Sequence, residues 1–407
     1  MKKIAILGLC FAGSVAAFAQ SSVVKDVERQ MKASPEKYPA LLETLKPAFT
    51  DPESSQEAAT FFIAGKGGFD YFDQLDTFKK IGKEVDDKSM GRAIIDAYGY
   101  FRQALPLDSM PDAKGKVKPK YSKDIFKIIN SHYNDYDKAA RYMWEAKDFD
   151  GAFDAWQVFV DLPNDPILGA NAPKALPDSS IAEVHYNQAL AAWQSNNFEN
   201  AIKAFDNALA KGYHKKQLYD YAIAVAYNMH NPDLMAHYAE LAYPIYGHED
   251  DKYIGYIINA KIKAEKYDEA QSMLEKYIAA DPNNAQNYYV LGILYDSQNN
   301  FEKALENYEK AVNLDPNNAQ ALLQYGRQIS NKAYTIEDES GKLSPAEYNK
   351  VREEVINPIF RESIPYLEKA YQLDPENTRN ALNLLRNIYY NLNDADNLKR
   401  IEEEMQK

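Results

Sequence analysis

The chain has 407 residues, 45% of them hydrophobic and 13% aromatic, which is enough to build a continuous core and excludes general disorder. Its 60 acidic residues outnumber its 47 basic ones, and a net charge of −13 argues against nucleic acid as a partner, because phosphate binding requires basic patches. This length allows two ordinary domains or one elongated array of repeats.

Residues 1–19 have the features of a secretory signal peptide. Two early lysines precede an apolar stretch that ends at Ala17, and a small-x-small cleavage site ends at Ala19. A membrane helix is the alternative, but the apolar run is short and contains glycine and serine. Cys10 raises the possibility of a lipoprotein, although Leu9 stands where a lipobox needs a small residue. We therefore predict a periplasmic or secreted chain, cleaved after Ala19, not lipidated and without a later membrane span.

Residues 20–109 are predicted to form an N-terminal helical region with a degenerate repeat. Two helix faces are indicated by residues at helical spacing, which are Phe61, Ala64, Gly65, Ala97, Phe101 and Ala104. The polar residues between these faces, near 70–90, are predicted to be an insertion of extra helical turns or a loop.

Residues 110–132 are predicted to be a linker rich in lysine and proline that leads into the next helix. Its lysines form a local basic strip of Lys114, Lys116, Lys118, Lys120 and Lys123. We interpret this strip as part of a solvated loop.

Residues 133–247 are predicted to hold regular helix pairs, because one short pattern recurs at the start of each second helix. The pattern is an aromatic residue followed three positions later by alanine, and it occurs at 149–152, 198–201, 267–270 and 301–304. The gap between the second and third copies is about twice the repeat length of roughly 34 residues, and we place a degenerate repeat at about 215–246.

Residues 285–316 contain the clearest repeat. Its first helix is indicated by Tyr288, Leu291, Gly292 and Tyr295, and its second by Ala304, Tyr308 and Ala311. Asn299 and Asn300 are predicted to form the turn between the helices, and Pro316 ends the second helix. The pattern resembles the tetratricopeptide repeat (TPR), with tyrosine in place of tryptophan and phenylalanine. The resemblance implies an all-α TPR superhelical solenoid of about eight helix pairs.

Residues 248–375 continue the repeats, and the last of these repeats carries an insertion near 331–356. Within it, residues 337–343 are predicted to be a loop, and Ser344, Pro345 and Glu347 indicate a new helix start. Residues 376–407 are predicted to form C-terminal capping helices.

No motif for catalysis or for a cofactor stands out. The six histidines include no H-E-x-x-H pair. Residues 65–68, Gly-Lys-Gly-Gly, lack the ending of a phosphate-binding loop and lie in a helical pattern. His248 to Asp251 is the best cluster for a cation, but its place in a turn between repeats makes it a weak candidate. We predict no enzyme activity, no cofactor and no metal site.

The TPR resemblance implies that the first helices line a concave groove. The predicted groove positions are Tyr186, Leu190, Trp193, Tyr219, Tyr227, Asn259, Tyr289, Ile293 and Arg327. The alternative is that these rings only pack between helices. TPR proteins that hold a chaperone C-terminus resemble one another in a clamp of Lys, Asn and Arg. Tyr289, Ile293 and Gln324 stand at such positions here, so that clamp is not expected.

The predicted function is an exported, non-enzymatic TPR scaffold that binds another envelope protein or an extended peptide through aromatic anchors. The alternative function is a glycan-binding accessory protein of the envelope, because aromatic rings also stack on sugars.

Overall fold

The computed structural model describes residues 22–112, 114–247, 250 and 252–406. The predicted signal peptide, its cleavage site and Cys10 lie outside these residues. Apart from an isolated bridge between Pro111 and Val117, the regular structure of the described residues is helical. The predicted all-α class is therefore confirmed. No helix in the described part of the chain combines the length and apolar character needed to cross a bilayer.

The described residues divide into two compact units, the first ending at Met229 and the second beginning at His230. The boundary falls inside the segment 133–247 that the sequence pattern treats as one run of repeats. The α-helices of unit 1 are α1 (22–33), α2 (Tyr38–Leu45), α3 (Ala58–Lys80), α4 (Asp87–Asp108), α5 (Ser122–Ser131), α6 (Asp135–Glu145), α7 (Phe149–Asp161), α8 (Asp178–Gln194), α9 (Phe198–Ala210) and α10 (Lys216–Asn228).

Unit 2 is built in the same way from helices joined by short turns. Its α-helices are α11 (Pro232–Tyr246), α12 (Lys252–Lys263), α13 (Tyr267–Ala280), α14 (Ala285–Ser297), α15 (Phe301–Leu314), α16 (Ala319–Ser340), α17 (Pro345–Val351), α18 (Asn357–Leu373), α19 (Asn380–Asn391) and α20 (Ala395–Met405). Each unit has its own cluster of buried apolar side chains, so each has a core of its own.

The turn between paired helices has one recurrent geometry, seen clearly between α14 and α15. Asn299 has a φ of +59°, and the N–H of Asn300 bonds the carbonyl of Tyr295 at 2.9 Å, as in a Schellman motif. The Asn300 side chain in turn accepts a hydrogen bond from the N–H of Lys303 and caps α15. One residue thus closes the first helix and opens the second. The same positive φ occurs at Lys147, Asn196, Glu265 and Asn393.

The additional residues near 70–90 are built as extra helical turns. Helix α3 continues to Lys80 and α4 begins at Asp87, so only residues 81–86 form the connection. The Lys79 ammonium lies 2.6 Å from a carboxylate oxygen of Asp87 and bridges the two helix ends.

The lysine-rich linker follows α4, which runs through Pro106 to Asp108. The five lysines of the basic strip are all exposed, as expected for a solvated loop. The buried carboxylate of Asp108 holds the end of the linker by accepting hydrogen bonds from the N–H groups of Lys120 and Ser122 at 2.9 and 2.7 Å.

The predicted loop at residues 337–343 is corrected by the structure. Helix α16 continues to Ser340, and the Tyr348 hydroxyl donates a 3.0 Å hydrogen bond to Glu337 that holds this extension against α17. The helix start at Ser344 is confirmed, because Ser344 and Glu347 form a reciprocal capping box. A π-helical turn, Arg352–Ile356, then joins α17 to α18.

Candidate functional site

The first candidate site lies in unit 1 and consists of four aromatic side chains, two on α8, one on α10 and one in the connection between α9 and α10. Tyr186 and Trp193 are about two turns apart on α8 and so share one face. The Tyr186 ring stacks on Tyr213 at a centroid distance of 4.7 Å and lies 6.5 Å from the nearly parallel ring of Tyr221. Trp193 lies 5.4 Å from Tyr221. We call Tyr186, Trp193, Tyr213 and Tyr221 the aromatic surface.

The aromatic surface is accessible, and the Lys215 ammonium lies 4.9 Å from the centroid of its Tyr213 ring. Tyr221 is 37% exposed, and the other three side chains are half-buried. Desolvation, followed by the nearby Tyr213 and Tyr221 hydroxyls, raises the pKa of Tyr186 to about 12. The Tyr186 hydroxyl is therefore neutral at physiological pH. A ligand on this surface would meet ring faces and hydroxyl groups that can donate or accept hydrogen bonds.

The predicted positions on α10 do not lie on this surface. Tyr219 is only 1% exposed, and its hydroxyl lies 2.9 Å from Nδ1 of His214, so this ring packs inside the repeat. Tyr227 is 66% exposed but lies about a third of a turn around the helix from Tyr221. The neighbouring Ala222 could have identified Tyr221. This small residue is fully buried and marks the packed face of α10, and Tyr221 lies next to that face.

Leu190 lies in a neighbouring pocket of about 240 Å³ between α6, α7 and α8. Trp144 and Trp156 form part of its wall together with Arg141. The Trp156 indole N–H donates a 2.8 Å hydrogen bond to Asp137, which fixes the ring within the repeat. The structure thus places Leu190 near charged and aromatic groups, on the same face of α8 as Tyr186 and Trp193.

A second pocket, of about 370 Å³, lies between α12 and α14 of unit 2. It brings together three predicted groove residues, Asn259, Tyr289 and Ile293, with Tyr256 and Ile262 beside them. Burial raises the pKa of Tyr289, although the positive charge of Arg327 opposes this effect. Most of the pocket wall is apolar, but it also carries two phenol groups, two amides and one ammonium, which belong to Tyr256 and Tyr289, Asn259 and Gln286, and Lys252.

Arg327, the last predicted groove residue, lies on α16 and pairs with a residue on α14 of the preceding repeat. Its guanidinium forms an ion pair with Asp296, and its Nε donates a 2.7 Å hydrogen bond to Gln324. The other oxygen of Asp296 accepts a 2.8 Å hydrogen bond from Gln328. Arg327 therefore contributes little free charge to the surface.

Comparison with known families identifies repeats in both units. One tetratricopeptide repeat model matches residues 285–318, and a second matches residues 186–234. The chain is a tetratricopeptide repeat protein. The match in unit 1 covers the whole aromatic surface, and the match in unit 2 covers Tyr289 and Ile293. The TPR assignment made from the spacing of residues 285–316 is confirmed.

Several solved structures resemble parts of this TPR protein, and a comparison with curated proteins found no match. Pseudomonas aeruginosa pilF is 16% identical with a TM-score of 0.38, covering 56% of this chain and 92% of its own. A TPR repeats protein from Bacteroides fragilis is 16% identical with a TM-score of 0.35, covering 63% and 98%. YrrB, described as a TPR protein with an unusual peptide-binding site, is 21% identical with a TM-score of 0.32, covering 50% and 96%. Similarity at this level is too weak to carry a conclusion about this chain.

The predicted cation cluster at 248–251 lies outside the described residues, except for Asp250.

Proposed function

We propose that this TPR protein is an exported, non-enzymatic scaffold that binds an extended peptide segment of another envelope protein on the aromatic surface. TPR repeats are protein-interaction modules, which supports a role as a scaffold. The observation that carries the finer proposal is a group of four rings in contact at the surface, in which Tyr186 stacks on Tyr213 and Tyr221, and Trp193 lies tilted against Tyr221.

Aromatic rings of this kind suit peptide binding for two physical reasons. They are rigid, so they lose little conformational entropy when a ligand covers them, and each supplies a large contact area. Because Tyr186, Tyr213 and Tyr221 also carry hydroxyl groups, they can hydrogen-bond the backbone of an extended segment. Anchors of this type usually provide most of the binding energy of an interface.

The absence of catalysis is part of the same proposal. The groups on the aromatic surface are phenols and one indole, and the raised pKa of Tyr186 keeps its hydroxyl protonated, so it is a poor base or nucleophile at neutral pH.

Crosslinking in intact cells, followed by mass spectrometry, would identify the partner. The key variants are Trp193→Ala and Tyr221→Ala, each of which should weaken binding of that partner by about tenfold or more. Tyr227→Ala is the matched control, since it removes an exposed ring from the same helix α10 without touching the surface. Equal loss in all three variants, or none in the first two, would refute this binding site.

Glycan binding is the second candidate, because exposed ring faces such as those of Trp193 and Tyr221 also stack on sugar rings. Titration with a polysaccharide panel, followed by tryptophan fluorescence, separates the two functions. The chain has three tryptophans, so Trp193→Phe is the control that assigns any quenching to the aromatic surface. Saturable quenching that this variant abolishes, without a protein partner in the crosslinking experiment, would favour glycan.

Export is tested separately by fractionating cells and determining the N-terminus of the mature protein. We expect a chain that begins at Gln20 in the periplasmic or secreted fraction. A chain retained in the cytoplasm with residues 1–19 intact would contradict export without affecting the binding proposal.

A further inference from the structure

Unit 1 contains a group of potential metal ligands that the scaffold function does not use. Asp73 lies on α3, His132 directly follows α5, and Asp135 is the first residue of α6. Their ligand atoms all lie within 4.8 Å of one another. No sequence motif indicates this group, because the ligands come from three different elements and Asp73 is distant along the chain.

Two of the separations lie close to those that a small tetrahedral cation requires. Nδ1 of His132 lies 2.9 Å from Oδ2 of Asp135 and 3.6 Å from Oδ1 of Asp73. Two ligand atoms bound to Zn²⁺ at about 2.0–2.2 Å in tetrahedral geometry are roughly 3.4 Å apart, between these two values. A cation could therefore bind between Nδ1 of His132 and the two carboxylates after only small side-chain shifts.

The surroundings orient two of the ligands and leave an entrance. The Lys138 ammonium bonds Oδ1 of Asp135 at 2.7 Å and so turns Oδ2 toward His132. The His132 ring packs on Phe69 at a centroid distance of 4.8 Å, which fixes its plane. Hydrogen bonds and packing contacts that orient a side chain in this way are typical of metal ligands. The Asp73 side chain is 59% exposed, so an ion can enter from solvent.

We infer that Asp73, His132 and Asp135 form a site for a divalent transition-metal ion, with Zn²⁺ as the best fit and water as the fourth ligand. One imidazole and two carboxylates suit zinc better than calcium or magnesium, which prefer oxygen ligands alone. A bound ion would connect α3 to the α5–α6 turn and would stabilise unit 1, because the unfolded chain does not hold the three ligands together.

The test is calorimetric titration of the chelator-treated, full-length chain with ZnCl₂, together with thermal unfolding with and without the metal. We expect one ion per chain and a higher unfolding temperature with zinc. Asp73→Asn should weaken binding by at least about tenfold and remove most of this thermal shift. Asp70→Asn is the matched control, since it removes an equal charge from the same helix, but from a carboxylate that pairs with Lys66.

Four results would overturn the inference. One is the absence of saturable zinc binding, and another is equal weakening by Asp73→Asn and Asp70→Asn, which would indicate attraction by acidic charge alone. The others are binding of CaCl₂ as tight as that of ZnCl₂ and unchanged zinc binding in His132→Gln, which would each show that the imidazole is not a ligand. Circular dichroism of each variant separates loss of the ligand from loss of the fold, and exposed Asp73 is the position least coupled to folding.

Discussion

Helix pairs α3/α4 and α14/α15 differ in helix length, in the connection between the two helices and in their match to the TPR family models. Helices α3 and α4 have 23 and 22 residues, whereas α14 and α15 have 13 and 14. The first pair is joined by residues 81–86, and the second by the short turn around Asn299. The TPR family models match the second pair but not the first.

The two pairs nevertheless share one contact, in which a glycine of the first helix faces an aromatic ring of the second. A β-carbon on Gly65 would lie 2.5 Å from the Phe101 ring, and one on Gly292 would lie 2.6 Å from the Tyr308 ring. Both rings are fully buried. The comparison shows that close approach at a glycine, rather than helix length or turn, is the feature that these two pairs have in common.

Replacing the glycine in α3/α4 should destabilise the chain more than replacing the glycine in α14/α15. The new β-carbon of Gly65→Ala would meet the Phe101 ring and also the carbonyl oxygen of Ala97 at 2.9 Å, and backbone cannot rotate away. We expect this substitution to lower the free energy of unfolding by about 3 kcal/mol. Tryptophan fluorescence during urea unfolding is the measurement, because Trp144, Trp156 and Trp193 all lie in unit 1.

Gly99→Ala provides the control for this prediction. Gly99 lies on α4, and a β-carbon there would have no atom within 4 Å. The gain in helix propensity should therefore stabilise the chain, by about 0.5–1 kcal/mol. Equal effects of the two substitutions would show that the Gly65 contact is not tight.

The end of α4 offers a second test that has no counterpart in α14/α15. Burial alone would raise the pKa of Asp108, but hydrogen bonds from the Ser122 side chain and from the backbone of residues 120–122 hold it below its ordinary value. We expect Asp108→Asn to cost about 2 kcal/mol at pH 7, because it weakens hydrogen bonds to a charged acceptor.

The pH dependence of Asp108→Asn follows from the direction of this shift. A lowered folded-state pKa stabilises the fold above the unfolded value of about 3.9, and this contribution is lost as the pH falls through the folded-state pKa. The difference in unfolding free energy between wild type and Asp108→Asn should thus shrink below about pH 4. A difference that stays constant from pH 7 to the acid limit would contradict the ionised state of Asp108.

The regular pair α14/α15 should respond less to the same kind of change. The near atoms around Gly292 all belong to the Tyr308 side chain, which can shift slightly, and none is backbone. Gly292→Ala should therefore cost about 1–2 kcal/mol. Circular dichroism should report the loss, and tryptophan fluorescence should not, since unit 2 contains no tryptophan. Gly255→Ala on α12, where a β-carbon meets open space, is the control.

These pairs also show which parts of the structure could be predicted from sequence. The α14/α15 pair could be predicted because its aromatic and small residues follow the TPR spacing. In α3/α4 the sequence pattern also indicated two helix faces with Gly65 and Phe101, but the extra helical turns separate these residues by more than the regular TPR spacing. The aromatic surface was only partly predicted, because the phase of regular repeats pointed to Tyr219, which is buried, instead of Tyr221. Contacts between distant segments, such as Tyr348 with Glu337, leave no local signal.

The smallest predicted effect concerns the turns. Glu265, between α12 and α13, has a φ of +57°, and Asn299, between α14 and α15, has a φ of +59°. A residue with a β-carbon is strained in this region, although asparagine tolerates it better than glutamate does.

The exposed side chain of Glu265 makes no ion pair in the described structure that its removal would break. Glu265→Gly should therefore stabilise unit 2 by about 0.5–1 kcal/mol, and Asn299→Gly should change the unfolding free energy less. Thermal unfolding followed by circular dichroism measures both, and Glu265→Asn should fall between wild type and Glu265→Gly. If Glu265→Gly destabilises the chain, the added freedom of glycine in the unfolded state outweighs the strain that the turn imposes.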